Sequence, residues 1–319
     1  MIFMDEKKIY DNGISIVVPF LNEKDGLGQY CVSLDEYSSE KEFKIELIFV
    51  DDGSTDGSAD IVKGFNFKNI EKVRVIRLSR NYGMHAAIRA GLLEASYEIC
   101  TWMGSDLQEP IEFIEKSYDL IKDGYDAVYI DKKTVGVSRA NRLFSKIYTH
   151  MMKKYAVRNY TDGGTSVIVF NSKIRDYLNN NIENNSSIML QIMDAGFKSY
   201  TLSMDFGERT LGQSKWSLTK KIKLFIDSFV AFSFMPIRLV SIVGIIMFFL
   251  GLLYWIAIII KYLCGIKTPM GYPTIASLLV LGFGITNISL GIIAEYLWRT
   301  YDAARNRPAF VVSDEITVK

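Results

Sequence analysis

About the first 200 residues alternate between short apolar runs and longer segments in which apolar residues recur at helical spacing. The apolar runs predict strands at Ile14–Phe20, Ile45–Val50, Val73–Ser79, Ile99–Met103, Tyr125–Ile130 and Val167–Phe170. The segments between them predict helices at Leu27–Ser38, Ala59–Gly64, His85–Ala95, Ile111–Lys122 and Ile188–Ala195. Nearly continuous apolar runs are typical of strands buried on both faces, and strands that alternate with helices imply parallel crossovers. The pattern therefore predicts an α/β domain with a mainly parallel sheet.

Two carboxylates, Asp51 and Asp52, follow directly after the strand predicted at Ile45–Val50. In an open α/β sheet, ligands bind outside the carboxyl ends of the strands, and an acidic group there suits a ribose hydroxyl or a base N–H. The residues that follow, Gly53–Ser58, also fit a turn that caps the next helix. The residues alone leave both interpretations of Asp52 open.

A second acidic strand end lies at Asp106, shortly after the strand predicted at Ile99–Met103. Because two such strand ends can converge on one crevice, their oxygen atoms suit Mg²⁺ or Mn²⁺ bridging a diphosphate. The alternative is that Asp106 or Glu109 only caps the following helix, since Pro110 occupies the position expected for its first residue. His85 lies at a predicted helix start, where a single histidine is a weak indication of catalysis.

Two charge-free apolar runs, Leu239–Ile260 and Ile275–Ala294, dominate the last third of the chain. Each reaches the roughly 20 residues that a helix needs to cross a bilayer. Basic residues flank the pair on both outer sides and are fewer in the short connection, which predicts cytoplasmic ends. The runs therefore predict a transmembrane hairpin. The alternative, two buried helices of a soluble protein, fits their length and charge poorly.

Two further segments have an amphipathic pattern. Leu218–Met235 carries apolar residues at helical spacing with lysines between them, which predicts a helix lying in the membrane interface. The basic segment Lys132–Lys154 fits either a solvated helix face or a phosphate-binding element at the membrane surface.

Composition narrows the classes of function. The 319 residues carry a net charge of +1, and the basic residues are dispersed without a stacking motif, so no nucleic-acid partner is expected. The three cysteines are far apart and include no Cys-x-x-Cys pair, which favours a reducing compartment over a disulfide framework or a zinc site.

Six motifs follow one another along nearly the whole chain: SIVVPFLNE, FVDDGSTDGS, LSRNYG, SDLQEP, RTLGQSKW and EYLWRTYDAARNRPAFVV. In this order, and with a C-terminal hairpin, the chain resembles family 2 glycosyltransferases of the polyprenyl-phosphate type. Relatives of that type include dolichol-phosphate mannosyltransferase and bacterial bactoprenol-phosphate glucosyltransferases. The resemblance implies a GT-A type, Rossmann-like α/β domain at the inner (plasma) membrane, with this domain and both termini cytoplasmic. The expected catalytic domain is 1–216, and the expected interfacial helix is 217–236. The hairpin is expected at 237–298, with spans at about 239–260 and 275–294. A cytoplasmic tail is expected at 299–319.

The resemblance also implies donor-side roles for individual residues. The donor would be a nucleotide sugar, either a UDP-sugar or a GDP-sugar. Its nucleoside would be held by Pro19, Glu23 and Asp52. The Mg²⁺ or Mn²⁺ ion on its diphosphate would be held by Asp106 and Gln108.

On the acceptor side, Arg139 and Arg142 resemble the arginines that bind the phosphate of the polyprenyl lipid. Arg209 and Lys215 would meet the donor diphosphate or the lipid phosphate, and Asp162 would be the candidate base. The expected catalytic set is therefore Asp106, Asp162, Arg209 and Lys215.

The sequence departs from the family pattern in two places. The usual Asp-x-Asp metal motif begins with Gly104 instead of a carboxylate, and near Thr165 relatives often carry a second carboxylate where this chain has only Asp162. These losses lower the expected metal affinity and weaken the role of Asp162 as a base. A phosphate monoester has a second pKa of about 6 and is already a nucleophile at pH 7. The transfer therefore needs charge neutralisation and positioning more than a base.

Together, these features predict inverting transfer of a single sugar to polyprenyl (undecaprenyl or bactoprenyl) phosphate, for cell-surface glycan modification such as that of an O-antigen. The alternative is a non-catalytic membrane scaffold that retains the fold. Asp106, Gln108 and RTLGQSKW favour the enzyme, whereas Gly104 favours the scaffold. A processive polysaccharide synthase is less favoured, because it would need more membrane spans than the two predicted here to form a channel. The oligomeric state stays open, with a homo-oligomer among the candidates.

Overall fold

The computed structural model describes residues 9–106, 109–132, 148–157, 160, 165–183, 186–204, 235–264, 271–305 and 307–319. The chain forms two compact units. The first comprises Met1–Ser228 and Pro308–Lys319, and the second comprises Phe229–Arg307.

The first unit is built on one sheet, whose described strands are β1 (Tyr10–Phe20), β2 (Lys44–Asp51), β3 (Lys72–Leu78), β4 (Tyr97–Trp102), β5 (Ala127–Lys132), β6 (Thr165–Phe170), β7 (Ser199–Met204) and β8 (Val312–Thr317). Their order is β7-β5-β6-β4-β1-β2-β3-β8. The central strands β4, β1, β2 and β3 are parallel, β6 is antiparallel to β4 and β5, and β8 is antiparallel to β3. The outer strand β7 is parallel to β5. The predicted α/β fold with a mainly parallel sheet is confirmed.

Strand β1 lies at the centre of the sheet and is buried on both faces over its apolar run. It begins at Tyr10, four residues before the predicted Ile14, and it continues through Pro19, which would be expected to end it. Proline is tolerated because pairing with β4 ends at Val17, whose carbonyl accepts the N–H of Met103 at 3.0 Å. Beyond that point, no ladder bond on this side requires a donor from Pro19.

Helices cover both faces of the sheet. Among the described residues of the first unit they include α1 (Lys24–Ser38), α2 (Ser58–Gly64), α3 (Met84–Glu94), α4 (Phe113–Lys122), α5 (Ser172–Asn180) and α6 (Ile188–Asp194). Apolar side chains of α1, α2 and α4 share a core cluster with strand residues such as Ile16 and Phe49. On the other face, α3 approaches so closely that a Cβ on Gly91 would lie 2.4 Å from Cγ1 of Val17. Glycine at this position therefore allows the helix to pack directly on the strand.

Helix α4 begins later than the sequence predicts. It starts at Phe113 instead of Ile111, after a turn in which the N–H of Phe113 donates to the carbonyl of Pro110 at 3.1 Å. Pro110 therefore precedes the helix instead of opening it. Helix α5 and strands β7 and β8 have no counterpart among the predicted elements.

A buried carboxylate joins the amino ends of the central strands. Glu46 is fully buried, accepts hydrogen bonds from Oγ of Ser15 at 2.6 Å and Oγ of Ser96 at 2.8 Å, and lies 2.9 Å from Nζ of Lys72. Burial raises the pKa of Glu46, but these donors together hold it below its ordinary value. Because a buried charge is costly unless it is paired and hydrogen-bonded, this cluster favours the observed alignment of the strands.

The C-terminal residues return to the sheet of the first unit. The sequence predicts a tail over 299–319, but the helix Tyr272–Ala304 extends into this range and Val312–Thr317 forms the edge strand β8. The N–H of Ser79 donates to the carbonyl of Val311 at 2.9 Å, and the N–H of Val318 donates to that of Val73 at 2.8 Å. Most residues of β8 are exposed, so its pairing relies mainly on the backbone.

The second unit contains α7 (Met235–Leu263) and α8 (Tyr272–Ala304), of 29 and 33 residues, which contact each other. They include both segments predicted as spans, 239–260 and 275–294. Large apolar side chains are exposed on both helices, for example Leu253 and Phe283. Across the described residues, no helix combines the length and the apolarity that a membrane crossing requires. Most of the predicted interfacial helix at 217–236 lies outside the described residues.

Candidate active site

The loops that follow β1 and β2 are hydrogen-bonded to each other. Asn22 has a positive φ of 53°, accepts the N–H of Thr55 on Oδ1 at 2.9 Å, and donates its own N–H to Oγ of Ser54 at 3.0 Å. The N–H of Glu23 donates to Oγ of Ser58 at 3.0 Å. These bonds hold Glu23, a predicted nucleoside-binding residue, beside the turn that follows β2.

Asp52 connects the carboxyl end of β2 to the loop after β3. Its Oδ1 accepts the N–H of Tyr82 at 2.7 Å, and its Oδ2 accepts the N–H of Gly83 at 2.9 Å. The residue is only 4% exposed. Burial raises the pKa of Asp52, and the two N–H groups act in the opposite direction. Asp52 thus shapes the edge where nucleoside binding is predicted, but backbone donors already engage both of its carboxylate oxygens.

The turn that follows β2 is braced from two sides. Oδ1 of Asp51 accepts the N–H of Ser54 at 2.7 Å, so Asp51 holds this turn. Nη2 of Arg77 donates to the carbonyl of Ser54 at 2.9 Å, and Nε of Arg77 lies 3.3 Å from Oδ2 of Asp51. Gly53 has a φ of +79°, and a Cβ there would lie 2.7 Å from the carbonyl carbon of Arg80. Glycine at this position lets the turn pack against the loop after β3.

The loop after β4 brings two carboxylates close to Gly104. A Cβ on Gly104 would lie 3.2 Å from Oδ1 of Asp106 and 3.3 Å from Oε2 of Glu109. Glu109 was considered above only as a capping residue, but the N-cap of α4 is Glu112. The structure therefore adds Glu109 to the candidate site. The sequence signal that identifies it is the loss of a carboxylate at Gly104 together with an acidic residue in the same loop.

Two residues of α3 lie one turn apart near this edge. Nδ1 of His85 has no hydrogen-bond partner within the described ranges. Burial, followed by the charge of Arg89, lowers the pKa of His85 to about 4, so its imidazole is neutral at pH 7. Arg89 is 2% exposed and donates from Nη2 to Oε1 of Gln191 at 2.7 Å, which links α3 to α6. The sequence gives no indication of the contact between Arg89 and Gln191.

Six predicted site residues lie outside the described residues: Gln108, Arg139, Arg142, Asp162, Arg209 and Lys215. Their roles stay predictions. Of the others, Pro19, Glu23 and Asp52 lie at the adjacent carboxyl ends of β1 and β2, and Asp106 follows β4, the other neighbour of β1. The part of the chain that the structure describes contains no group of three or more His, Cys, Asp or Glu residues placed to hold a metal.

Comparison with known proteins identifies the family. The model of glycosyl transferase family 2 matches residues 15–194. The uncharacterized glycosyltransferase YkcC of Bacillus subtilis (strain 168) is 31% identical over 303 residues, which cover 93% of this chain and 92% of the relative. The undecaprenyl-phosphate 4-deoxy-4-formamido-L-arabinose transferase of Proteus mirabilis (strain HI4320) is 30% identical over 312 residues, which cover 97% and 95% of the two chains.

Among solved structures, the mannosyltransferase PcManGT from Pyrobaculum calidifontis, in complex with GDP-Man and Mn²⁺, is 16% identical. Its TM-score is 0.45, and the match covers 64% of this chain and 59% of that one. Because the family model spans more than half of the chain and the sequence relatives align with nearly all of it, the chain belongs to glycosyl transferase family 2 and is a glycosyltransferase.

Proposed function

We propose that the protein transfers a single sugar from a nucleotide-diphosphate sugar to polyprenyl phosphate at the cytoplasmic face of the inner membrane. The relatives support this acceptor. The Proteus mirabilis relative is named as an undecaprenyl-phosphate 4-deoxy-4-formamido-L-arabinose transferase, and its similarity extends over 97% of the chain. In this proposal, the donor is a UDP-sugar or a GDP-sugar.

The observation that carries the proposal is the linkage of loops at one edge of the sheet. The parallel strands β4, β1, β2 and β3 are neighbours, and Asp52 bonds the loop that follows β3. Ligands of open α/β sheets bind at this edge. A nucleotide there would lie with its nucleoside near Pro19 and Glu23 and its diphosphate near Asp106.

A divalent cation on the donor diphosphate fits the residues present. Asp106 and Glu109 bring hard oxygen ligands beside Gly104, and the predicted ligand Gln108 lies between them in the sequence. When bound, Mg²⁺ or Mn²⁺ would neutralise charge on the leaving diphosphate. The carboxylates of the loop after β4 would fix the position of the diphosphate relative to the sheet.

The proposed reaction is a direct displacement. A phosphate oxygen of the lipid attacks the anomeric carbon, the bond from that carbon to the diphosphate breaks, and a nucleoside diphosphate leaves with inversion of configuration. Because the second pKa of the acceptor phosphate is about 6, it is mostly dianionic at pH 7 and needs no base. The protein must align the substrates and offset the repulsion between their phosphates. The cations predicted for this task are Arg139, Arg142, Arg209 and Lys215.

The second unit supports the membrane part of the proposal. Apolar side chains such as Leu253 on α7 and Phe283 on α8 are exposed, and lipid would cover them. The chain enters α7 from the first unit and rejoins the sheet of that unit through β8. A hairpin that crosses the membrane twice would therefore keep the catalytic unit and both termini on the cytoplasmic side.

The proposal can be tested with purified full-length protein in vesicles that contain undecaprenyl phosphate. A panel of radiolabelled UDP-sugars and GDP-sugars should include one donor that labels the lipid with a single sugar. Asp106→Asn should lower turnover about a hundredfold, the scale of losing one preorganised stabilising group. Asp123→Asn, which removes an exposed carboxylate after α4, should leave it unchanged. Absence of labelled lipid with every donor would favour the scaffold alternative.

A further inference from the structure

We infer that Glu109 supplies the carboxylate that the chain lacks at Gly104, so that Glu109 and Asp106 together bind the divalent cation of the donor site. The inference rests on the proposed function, because the donor diphosphate is the group that the cation would bridge. It assigns a metal ligand that lies outside the Asp-x-Asp pattern.

Gly104 is favoured by the available space and not by its backbone conformation. Its φ lies outside the positive range in which glycine is preferred, so the backbone would accept another residue. A Cβ at this position would lie 3.2 Å from Oδ1 of Asp106 and 3.3 Å from Oε2 of Glu109. Both contacts are tighter than ordinary van der Waals contacts. A side chain at position 104 would therefore require the carboxylates of Asp106 and Glu109 to shift by a few tenths of an ångström.

A buried hydroxyl provides a second observation. Tyr30 on α1 is fully buried, and its hydroxyl has no hydrogen-bond partner among the described residues. Burial raises the pKa of Tyr30 most, and the charges of Glu109 and Asp106 raise it further, so the phenol lies within the field of both carboxylates. Buried hydroxyl groups are normally hydrogen-bonded. An unpartnered, fully buried hydroxyl in the field of both carboxylates points to an ion, or to a water molecule on that ion, as its partner.

The chemistry of the two carboxylates fits this ion. Mg²⁺ is usually bound through one or two carboxylates together with phosphates of the substrate, and Mn²⁺ also prefers hard oxygen ligands. Asp106 and Glu109 supply two such groups. Capping does not explain Glu109, because the N-cap of α4 lies three residues later, at Glu112.

Binding of Mn²⁺ tests the inference without relying on turnover. Free Mn²⁺ is measured by electron paramagnetic resonance during titration of the purified full-length protein, with and without UDP or GDP. Glu109→Gln and Asp106→Asn should each weaken Mn²⁺ binding at least about tenfold, the smallest loss typical of a disturbed metal site. Glu40→Gln, which removes an exposed carboxylate two residues after α1, is the matched control and should bind like the wild type.

Folding of each variant is checked by its thermal unfolding temperature. Should Glu109→Gln not fold, Glu109→Asp keeps the carboxylate on a shorter side chain and should still weaken Mn²⁺ binding. Wild-type affinity for Mn²⁺ in whichever of these two variants folds would overturn the inference.

A double-mutant cycle with Gly104→Asp then tests whether Glu109 substitutes for the carboxylate that is absent at position 104. If Glu109 replaces the missing carboxylate, Glu109→Gln should lower the affinity for Mn²⁺ at least about tenfold in the wild type. In the Gly104→Asp background it should lower this affinity only slightly, because the new aspartate binds the ion in place of Glu109. An equal loss in both backgrounds would contradict the replacement. The Mn²⁺ titrations and the lipid-labelling assay can also give different answers. If the double-mutant cycle shows the expected coupling but the protein labels no lipid with any donor, the metal site is supported and the proposed reaction is refuted.

Discussion

The guanidinium of Arg77 donates a hydrogen bond of 2.9 Å to the carbonyl of Ser54 and thereby ties β3 to the turn after β2. The edge strand β8 lies on the other side of Arg77. Asp314 is its register partner, and Oγ of Ser313 donates to the carbonyl of Arg77 at 3.1 Å. The C-terminal strand therefore contacts the residue that braces the turn after β2.

Arg77→Met should loosen this turn and weaken nucleotide binding. The substitution removes a hydrogen bond worth about 1 kcal/mol and leaves the buried carboxylate of Asp51 without this ion pair. We expect affinity for UDP or GDP to fall roughly five- to tenfold, since about 1.4 kcal/mol corresponds to a factor of ten. Isothermal calorimetry measures it, and Lys68→Met, which removes an exposed cation, is the control. Unchanged affinity in Arg77→Met would show that the turn holds without the arginine.

Asp52→Asn should lower both stability and nucleotide affinity. The amide keeps the size of the side chain, but its NH₂ group would face the N–H of Tyr82 or Gly83, where Asp52 now offers an acceptor. An unsatisfied buried polar group costs about 1–3 kcal/mol, so the thermal unfolding temperature should fall. Asp25→Asn, an exposed acidic residue in the first turn of α1, serves as the control. A loss of affinity without a loss of stability would mean that Asp52 contacts the nucleotide and does not act as a loop clamp.

The central strands and the position of the candidate site could be predicted from the sequence, because both depend on simple physical requirements of a parallel sheet. Strands buried on both faces need continuous apolar runs, and such runs mark β1 to β4. Parallel strands also place their carboxyl ends on one edge, which brings Asp52 and the loop of Asp106 to that edge. The strand β8 was missed because an edge strand can pair through its backbone, and Val312–Thr317 lacks an apolar run.

The contacts of the site residues could not be predicted in the same way. The bonds from Asp52 to Tyr82 and Gly83 join residues that are about 30 positions apart, and they depend on the path of a loop. The approach of Glu109 to Gly104 depends on a turn that delays the start of α4. Neither relationship follows from periodicity, because loops are set by specific turn geometry and by long-range contacts.

Glu46 should make part of the stability depend on pH. Its pKa in the folded protein lies below its ordinary value, so its carboxylate stabilises the fold above the unfolded pKa of about 4.3. This contribution is lost as the pH falls from there through the lower folded pKa. Glu46→Gln should therefore be less stable than the wild type at pH 7, with a difference that shrinks below about pH 4. Unfolding by urea over a pH series measures it, with the exposed Glu42→Gln as control. A difference that is constant with pH would exclude Glu46 as the titrating group.

The contact between Arg89 and Gln191 predicts an unequal response to two substitutions. Arg89 is 2% and Gln191 is 1% exposed, and Nη1 and Nε of Arg89 have no hydrogen-bond partner within the described ranges. Gln191→Leu would leave the buried guanidinium without its acceptor and would also remove the bond from Nε2 of Gln191 to the carbonyl of Asn181 at 2.7 Å. Hydrogen bonds to charged groups are worth about 1.5–3 kcal/mol, and a buried polar atom left without a partner costs about 1–3 kcal/mol, whereas replacing both partners with apolar groups of similar shape can be nearly neutral.

We therefore expect Gln191→Leu to destabilise the protein by about 3 kcal/mol, because it removes two hydrogen bonds and leaves a buried charge without its acceptor, and Arg89→Met by less, about 1–2 kcal/mol, because it leaves only the amide oxygen of Gln191 without a donor. The double variant Arg89→Met/Gln191→Leu should be more stable than Gln191→Leu alone, because it no longer buries an unpaired charge. Urea unfolding of the three variants gives these values, with Gln29→Leu as a control for the loss of an exposed amide on α1. If the double variant is no more stable than Gln191→Leu, the guanidinium of Arg89 does not depend on Gln191, and another group compensates its charge.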